Sequence, residues 1–423
     1  MKYTLQGPKI NLKVQEHFNI IISIIKKEIP NILSIMLAGS FGLGEGPVKL
    51  IKNKIYPFND YDIYLITKRK IKSKKINKID KEISNKLNFM SKLSFHKFTK
   101  KKKTFRNTFF VDLKTFSYNK LKNLSPRLRN YAMKKATKIL YGKDFRYLIP
   151  NYSLSDIPLS DPAKLLLDRF NQLVEYYSLN RDSDPYILAY KIQAAYSACS
   201  TALLMLRRKF NCSYLKSAQI LNKIYKKEFP ELYKKLPNLH LKIKKYVYWK
   251  ANPNKLPAKD LKQELFKAIY NTSEVTKYFF SKFLSKKISN KNDLSNALLK
   301  MSKEFYKPYI KYKLAFKSDL VYNILFPLIK LFLKYKYFLR VRKISKKFYF
   351  KIFFNKYTPD SYIYAAIPYL VLSIDYNNKI NKSDINKLKE IIKKVYPLKG
   401  KIWEELSLIF RNAYTAFFFQ DFE

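Results

Sequence analysis

Four of the seven glycines in this chain of 423 residues stand within eight positions, Gly39, Gly42, Gly44 and Gly46. Glycine at that density marks backbone that takes positive φ or comes close to a ligand. The apolar run before it, NILSIMLA at 31–38, is rich in branched residues and bounded by Pro30 and Gly39. It reads as a buried strand with Gly39-Ser40 as its exit turn. After the 19 residues 41–59 the sequence turns apolar again as DYDIYLIT, 60–67. This is a second strand with Tyr61, Ile63 and Leu65 on one face. Side chains two apart on a strand share a face, so Asp60 and Asp62 project together from its first residues.

The neighbouring sequence supplies the rest of an α/β unit. Residues 12–29 place Val14, Phe18, Ile21, Ile22, Ile25 and Ile29 at helical spacing, and Pro30 ends the pattern. A basic loop at 68–75 leads into a helix carrying Ile76, Ile79, Ile83 and Leu87, and FRNTFFVDLKTF at 105–116 is a further strand holding one acid, Asp112. Ser125-Pro126 and Gly142 bracket a helix with Leu128, Tyr131, Ala132, Ile139 and Leu140. The expected architecture is an N-terminal α/β domain over 1–150, a small mixed sheet with flanking helices. Proline-punctuated sequence near 150–162 reads as a linker. A helical bundle over 151–300 follows, with Leu165, Leu166, Phe170 and Leu173 on one helix and an alanine-rich helix at 187–208. A C-terminal helical module, 301–423, completes the chain and includes apolar helices at 361–374, 383–395 and 402–419.

Charge and cysteine usage narrow the function classes. The net charge of +54, from 85 Lys and Arg against 31 Asp and Glu, suits a polyanionic partner, nucleic acid or an anionic membrane surface. Lysine nevertheless keeps company here with abundant Asn, Ile, Tyr and Phe, the mark of an AT-rich coding sequence, and most of the excess is read as solvated surface. Cys199 and Cys212 form no CxxC pair, and His17, His96 and His240 are scattered, which speaks against a His/Cys metal cluster and for a reducing compartment. No apolar run reaches the ~18 residues of a spanning helix and no signal-peptide pattern opens the chain. The expectation is a cytoplasmic protein without a transmembrane segment.

Three carboxylates from adjacent strands suit hard divalent ions, which prefer oxygen ligands shared with phosphates. LAGSFGLGEG, then NDYDIYLIT, then FFVDL resembles the nucleotidyltransferase superfamily of DNA polymerase β type, and GSFGLGEG is similar to the turn of its minimal members. YAMKKATKILYGKD resembles the segment ending in LYG that follows their third acid. The likeness covers roughly the first 146 residues. It implies that Asp60, Asp62 and Asp112 ligate Mg²⁺ or Mn²⁺ and that Asp112 helps activate an acceptor hydroxyl. It implies further that Gly39, Ser40 and Gly44, with Glu45 as a weaker candidate, hold the phosphates of an NTP such as ATP. Two departures stand out. VKLIKNKIYPF at 48–58 reads as an inserted hairpin or loop, and Leu43 occupies a position often held by Arg.

The function expected is transfer of an NMP from an NTP to a hydroxyl-bearing acceptor, a small molecule, protein or RNA, with release of pyrophosphate. On this expectation the bundle closes over the nucleotide and the C-terminal module selects the acceptor. Two alternatives stand beside it: the same chemistry on a nucleic-acid end, and a non-catalytic nucleotide-binding or membrane-peripheral scaffold, for which the Tyr/Phe/Lys stretch 305–355 is the candidate surface. Lys191 and Asp168-Arg169 are weaker candidates for the cleft, more ordinary as a solvated face or an ion pair, and the lysine runs 68–75 and 100–103 read as solvated loops.

Overall fold

The computed structural model describes residues 1–51, 54–89, 109–175, 184–314, 318–341, 350–398 and 400–418. Lysines 100–103, His96, the first residues of the expected third strand and residues 342–349 of the aromatic-basic stretch lie outside them. The chain divides into two compact units. The first comprises Met1–Ile157, Ser183–Tyr233 and Pro237–Lys259, and the second Pro158–Asp182, Lys234–Leu236 and Asp260–Glu423.

In the first unit, α1 (Pro8–Glu28) begins with proline in its first turn and buries Val14, Phe18, Ile21, Ile24 and Ile25. It is followed by β1 (Ser34–Leu37), the five-residue α2 (Gly39–Leu43), the hairpin β2 (Val48–Ile51) and β3 (Lys54–Pro57), and β4 (Tyr61–Thr67). The amphipathic α3 (Ser73–Leu87), β5 (Val111–Ser117), the short α4 (Tyr118–Leu121), α5 (Leu128–Lys135) and β6 (Lys138–Gly142) come next. The sheet is mixed, in the order β5-β4-β1-β6, with β4 parallel to β5 and β1 antiparallel to both β4 and β6. The 48–58 insertion forms a separate antiparallel hairpin that pairs Val48 with Pro57.

Strand alternation divides the core in two. Ile35, Leu37, Ile63, Leu65, Val111 and Leu113 face α1 and α3. Met36, Tyr64, Ile66 and Phe116 face Met133, Phe145 and Ile149 on the other side.

The helix expected between Ser125 and Gly142 differs at both ends, and it begins at Leu128 with Arg127, not Ser125, in the capping position. The helix expected up to Gly142 ends at Lys135, and Ile139 and Leu140 lie in β6. Thr137 donates its hydroxyl to the carbonyl of Met133 (2.7 Å), satisfying the end of α5. The next residues then gain more from pairing with the free edge of β1, Met36 opposite Ile139 and Leu37 opposite Lys138. Gly142 closes that strand with φ +79, where a Cβ would lie 2.1 Å from the Leu33 carbonyl oxygen, so its glycine serves the sheet edge and not a helix cap.

The chain then passes through α6 (Ser160–Glu175), a helix of the second unit, and returns with α7 (Pro185–Leu206), α8 (Tyr214–Glu228), the short α9 (Pro230–Lys235) and α10 (Leu239–Ala251). Asp184 caps α7 by accepting from the amides of Tyr186 and Ile187, and Pro185 takes the first helical position. Ala189, Ala195, Ala198 and Ala202 are buried on α7, and α8 and α10 pack on it.

The described elements of the second unit are helices, α6, α11 (Leu261–Phe283), α12 (Lys291–Lys300), α13 (Ser302–Lys313), α14 (Asp319–Val341), α15 (Phe350–Phe354), α16 (Pro359–Val371), α17 (Lys382–Ile392) and α18 (Trp403–Phe418), and an isolated antiparallel bridge joins Ile374 to Ile380. Its centre is α16, buried along its whole length, against which α6, α12, α17 and α18 pack. Among the described residues no helix is long and apolar enough to cross a membrane.

Candidate active site

The parallel register of β4 and β5 sets Asp62 directly opposite Asp112. Both belong to the strand face that also carries Tyr64 and Lys114. Asp60 lies two residues earlier, immediately before β4. One oxygen from each of Asp60, Asp62 and Asp112 falls within 4.8 Å of the others. Asp112 is buried, and Asp60 and Asp62 are half-buried.

Three carboxylates at this spacing repel one another, and the cations in reach offset only part of that. Lys114 Nζ lies 2.6 Å from Asp112 Oδ2 and 3.5 Å from Asp62 Oδ1. Burial lowers the pKa of that ammonium, but the attraction of Asp112 and then Asp62 outweighs it and holds the pKa above its ordinary value. The Asp60 carboxyl is pushed up to about 7, first by burial and then by the charges of Asp62 and Asp112, with Lys114 and Lys250 opposing. Asp62 is raised as well, again by burial first, against the pull of Lys114. An all-oxygen donor set of converging, incompletely neutralised carboxylates fits a hard divalent ion such as Mg²⁺ or Mn²⁺.

The glycine turn is fitted to the acids. Ala38 donates its backbone N–H to the carbonyl of Asp62 (2.8 Å). At Gly39, with φ +62, a Cβ would stand 2.3 Å from Asp62 Oδ2, so only glycine lets the turn close over this carboxylate. The Ser40 hydroxyl is buried and accepts from the Asn59 side-chain amide (3.4 Å). The Tyr190 hydroxyl on α7 in turn donates to Asn59 Oδ1 (2.6 Å). Next to Asn59, the Phe58 ring meets Tyr186, Tyr190 and Trp249 edge-on, with centroids 5.5–6.1 Å apart. The inserted hairpin is thus anchored at the point where it delivers Asp60.

Gly44 ends α2, and Glu45 turns towards α8, where its carboxylate accepts from the hydroxyl of Ser213, the helix N-cap.

Lys250 of α10 is a cation that sequence reasoning missed. It is 8% exposed, lies over the rings of Tyr214 (4.8 Å) and Tyr190 (5.6 Å), and acts electrostatically on Asp60 and Asp62. No local pattern marks it, because its approach depends on how α10 packs against α7. Lys114 and Asn59 were also missed, although they are traceable: one stands two residues beyond Asp112 on the same strand face, the other directly before Asp60. Lys191 is half-buried on α7, one residue beyond the Tyr190 that touches Asn59. Asp168 and Arg169 form an ion pair (3.7 Å) in the second unit, where the Tyr414 hydroxyl also donates to Asp168 (2.8 Å). Lys68, Arg69 and Lys70 are exposed.

No protein-family model matches this chain, and no curated protein matches it. Among solved structures, it is similar to the spectinomycin adenyltransferase AAD(9) from Enterococcus faecialis, crystallised with ATP and spectinomycin. The TM-score is 0.33 and the identity 13%, over 61% of this chain and 99% of that one.

Proposed function

We propose that the chain is a metal-dependent nucleotidyltransferase that moves an NMP from an NTP to a hydroxyl-bearing acceptor. The observation that carries this reading is the convergence of Asp60, Asp62 and Asp112 within 4.8 Å beside the Gly39-Ser40 turn. Asp60, immediately before β4, and Asp62 within it would hold the ions, and Asp112 would complete the set from β5. Divalent ions bound there would neutralise charge on the phosphates and the leaving pyrophosphate and would acidify the acceptor hydroxyl. Asp112, in register with Asp62 on the neighbouring strand, helps activate the acceptor hydroxyl by taking up its proton. Gly39, Ser40 and Gly44 cradle the phosphates through backbone N–H groups and the Ser40 hydroxyl. Lys250 adds a buried positive charge that offsets the triphosphate, and Asn59, held by Tyr190, fixes the orientation of Ser40.

The test is incubation of the protein with each α-labelled NTP and Mg²⁺ or Mn²⁺ against pools of RNA, protein and small metabolites. Label is expected on one pool, and none with Asp60→Ala/Asp62→Ala. Label that persists in that variant overturns the site assignment. The net charge of +54 favours a second reading in which the acceptor is an RNA end. Salt-dependent retention on tRNA supports it, and no retention at low ionic strength removes it. Failure to bind Mg²⁺-NTP at all favours a scaffold.

A further inference from the structure

The outer face of α14 reverses the usual order of a surface helix. Leu320, Ile324, Leu328, Leu331, Phe332 and Tyr335 are each half or more exposed, and Leu320, Ile324 and Leu328 reach 65–68%. At 100° per residue they fall on one arc, joined by the partly exposed Val321. The arc runs 16 positions, about 24 Å at 1.5 Å per residue, and carries no charged side chain. A cation just outside this arc is drawn inward. Lys334 is 5% exposed and donates to the carbonyls of Phe353 (2.7 Å) and Asn355 (2.5 Å). The opposite side of the helix is packed, with Tyr322, Leu333, Tyr337 and Val341 buried. A contiguous apolar strip of this size on a charged protein marks a contact surface.

We propose that this face lies in the plane of an anionic lipid surface, its leucine and aromatic side chains entering the boundary between headgroups and acyl chains. Three observations select that occupant. Among the described residues no helix is able to cross a membrane, so α14 would lie on the bilayer and not span it. The chain carries +54, and α14 itself keeps Lys330 and Lys336 half-exposed, so an anionic leaflet attracts it over a Debye length. That same charge opposes a second copy of the chain, since two such molecules repel before their apolar strips meet. Nucleic acid is not matched by an arc without a cation. This inference stands apart from the carboxylate site, and its failure leaves the nucleotidyl-transfer reading untouched.

The full chain is sedimented at low ionic strength with vesicles of phosphatidylcholine alone and of phosphatidylcholine mixed with phosphatidylglycerol. It is expected to pellet with the mixed vesicles, and Leu328→Asp/Leu331→Asp to stay in the supernatant with an unchanged melting temperature. Ile324→Trp gives a second signal, because the native Trp249 and Trp403 are only 8% and 1% exposed. Its emission is expected to shift to the blue with mixed vesicles and to be quenched by brominated acyl chains. Equal pelleting of the double Asp variant overturns the proposal, as does an unshifted Ile324→Trp emission. So does concentration-dependent dimerisation without vesicles that the double Asp variant abolishes, which would make the strip a self-association surface, and pelleting with phosphatidylcholine alone to the same extent removes the anionic requirement.

Discussion

Gly39 and Asp62 are in contact across the turn that follows β1: a single added Cβ at Gly39 would stand 2.3 Å from Asp62 Oδ2. Gly39→Ala therefore has two effects. It puts an L side chain at φ +62, a conformation costing roughly 1–2 kcal/mol, and it pushes the Asp62 carboxylate out of the cluster. The expected result is a lower urea midpoint together with loss of Mn²⁺ binding followed by electron paramagnetic resonance. Unchanged Mn²⁺ affinity in a folded Gly39→Ala protein would show that Asp62 is not a ligand.

Lys114 occupies space beside the oxygens that a divalent ion needs. In Lys114→Met the acids repel one another without that ammonium, so the metal-free protein is expected to melt earlier. Its affinity for Mn²⁺ without nucleotide is expected to rise by about tenfold, equivalent to about 1.4 kcal/mol. Titration calorimetry reads this directly, and equal affinities would mean that the ammonium and the ion do not compete.

The pH dependence follows from Asp60, whose carboxyl is raised to about 7 by burial and by Asp62 and Asp112, against Lys114 and Lys250. A carboxyl with a raised folded pKa holds its proton more tightly folded than unfolded, so its contribution is present at low pH. That contribution is lost as pH climbs from the unfolded value of about 4 to about 7. Melting temperatures of the metal-free protein should show this downward slope, and Asp60→Asn should flatten it. Metal affinity runs in the opposite sense and rises through the same window as the ligand deprotonates.

Tyr190→Phe removes one hydroxyl donor from Asn59 and leaves the rings around Phe58 in place. A stability loss of about 0.5–1.5 kcal/mol is expected, accompanied by reduced nucleotide labelling as Asn59 loosens its hold on Ser40. A stability loss with full labelling would confine the Tyr190–Asn59 bond to a structural role.

The sequence reveals those parts of the fold that rest on local pattern. Alternation in 60–67 places Tyr61, Ile63 and Leu65 on the buried face they occupy, and periodicity locates α1, α3 and the helices at 361–374, 383–395 and 402–419 within a few residues. It does not reveal β6, because Ile139 and Leu140 fit a helical stripe as well as a strand and the decision lies with the unpaired edge of β1, a hundred residues earlier. At the candidate site the three acids and the glycine turn are legible because each sits in a recognisable strand or turn. Tyr190 and Lys250 are not, since only the packing of α7 and α10 brings them near Asp60. The hairpin at 48–58 shows as an excess of length, but its anchoring by Tyr186, Tyr190 and Trp249 does not.

The first unit is discontinuous in the chain, and that has a consequence for synthesis. The acids are complete once residue 112 has been made, whereas Tyr190 and Lys250 belong to helices that come much later. Until α10 has been made the three acids have Lys114 beside them but not Lys250, so the charge balance of this unit is completed only when a distant stretch of messenger has been read.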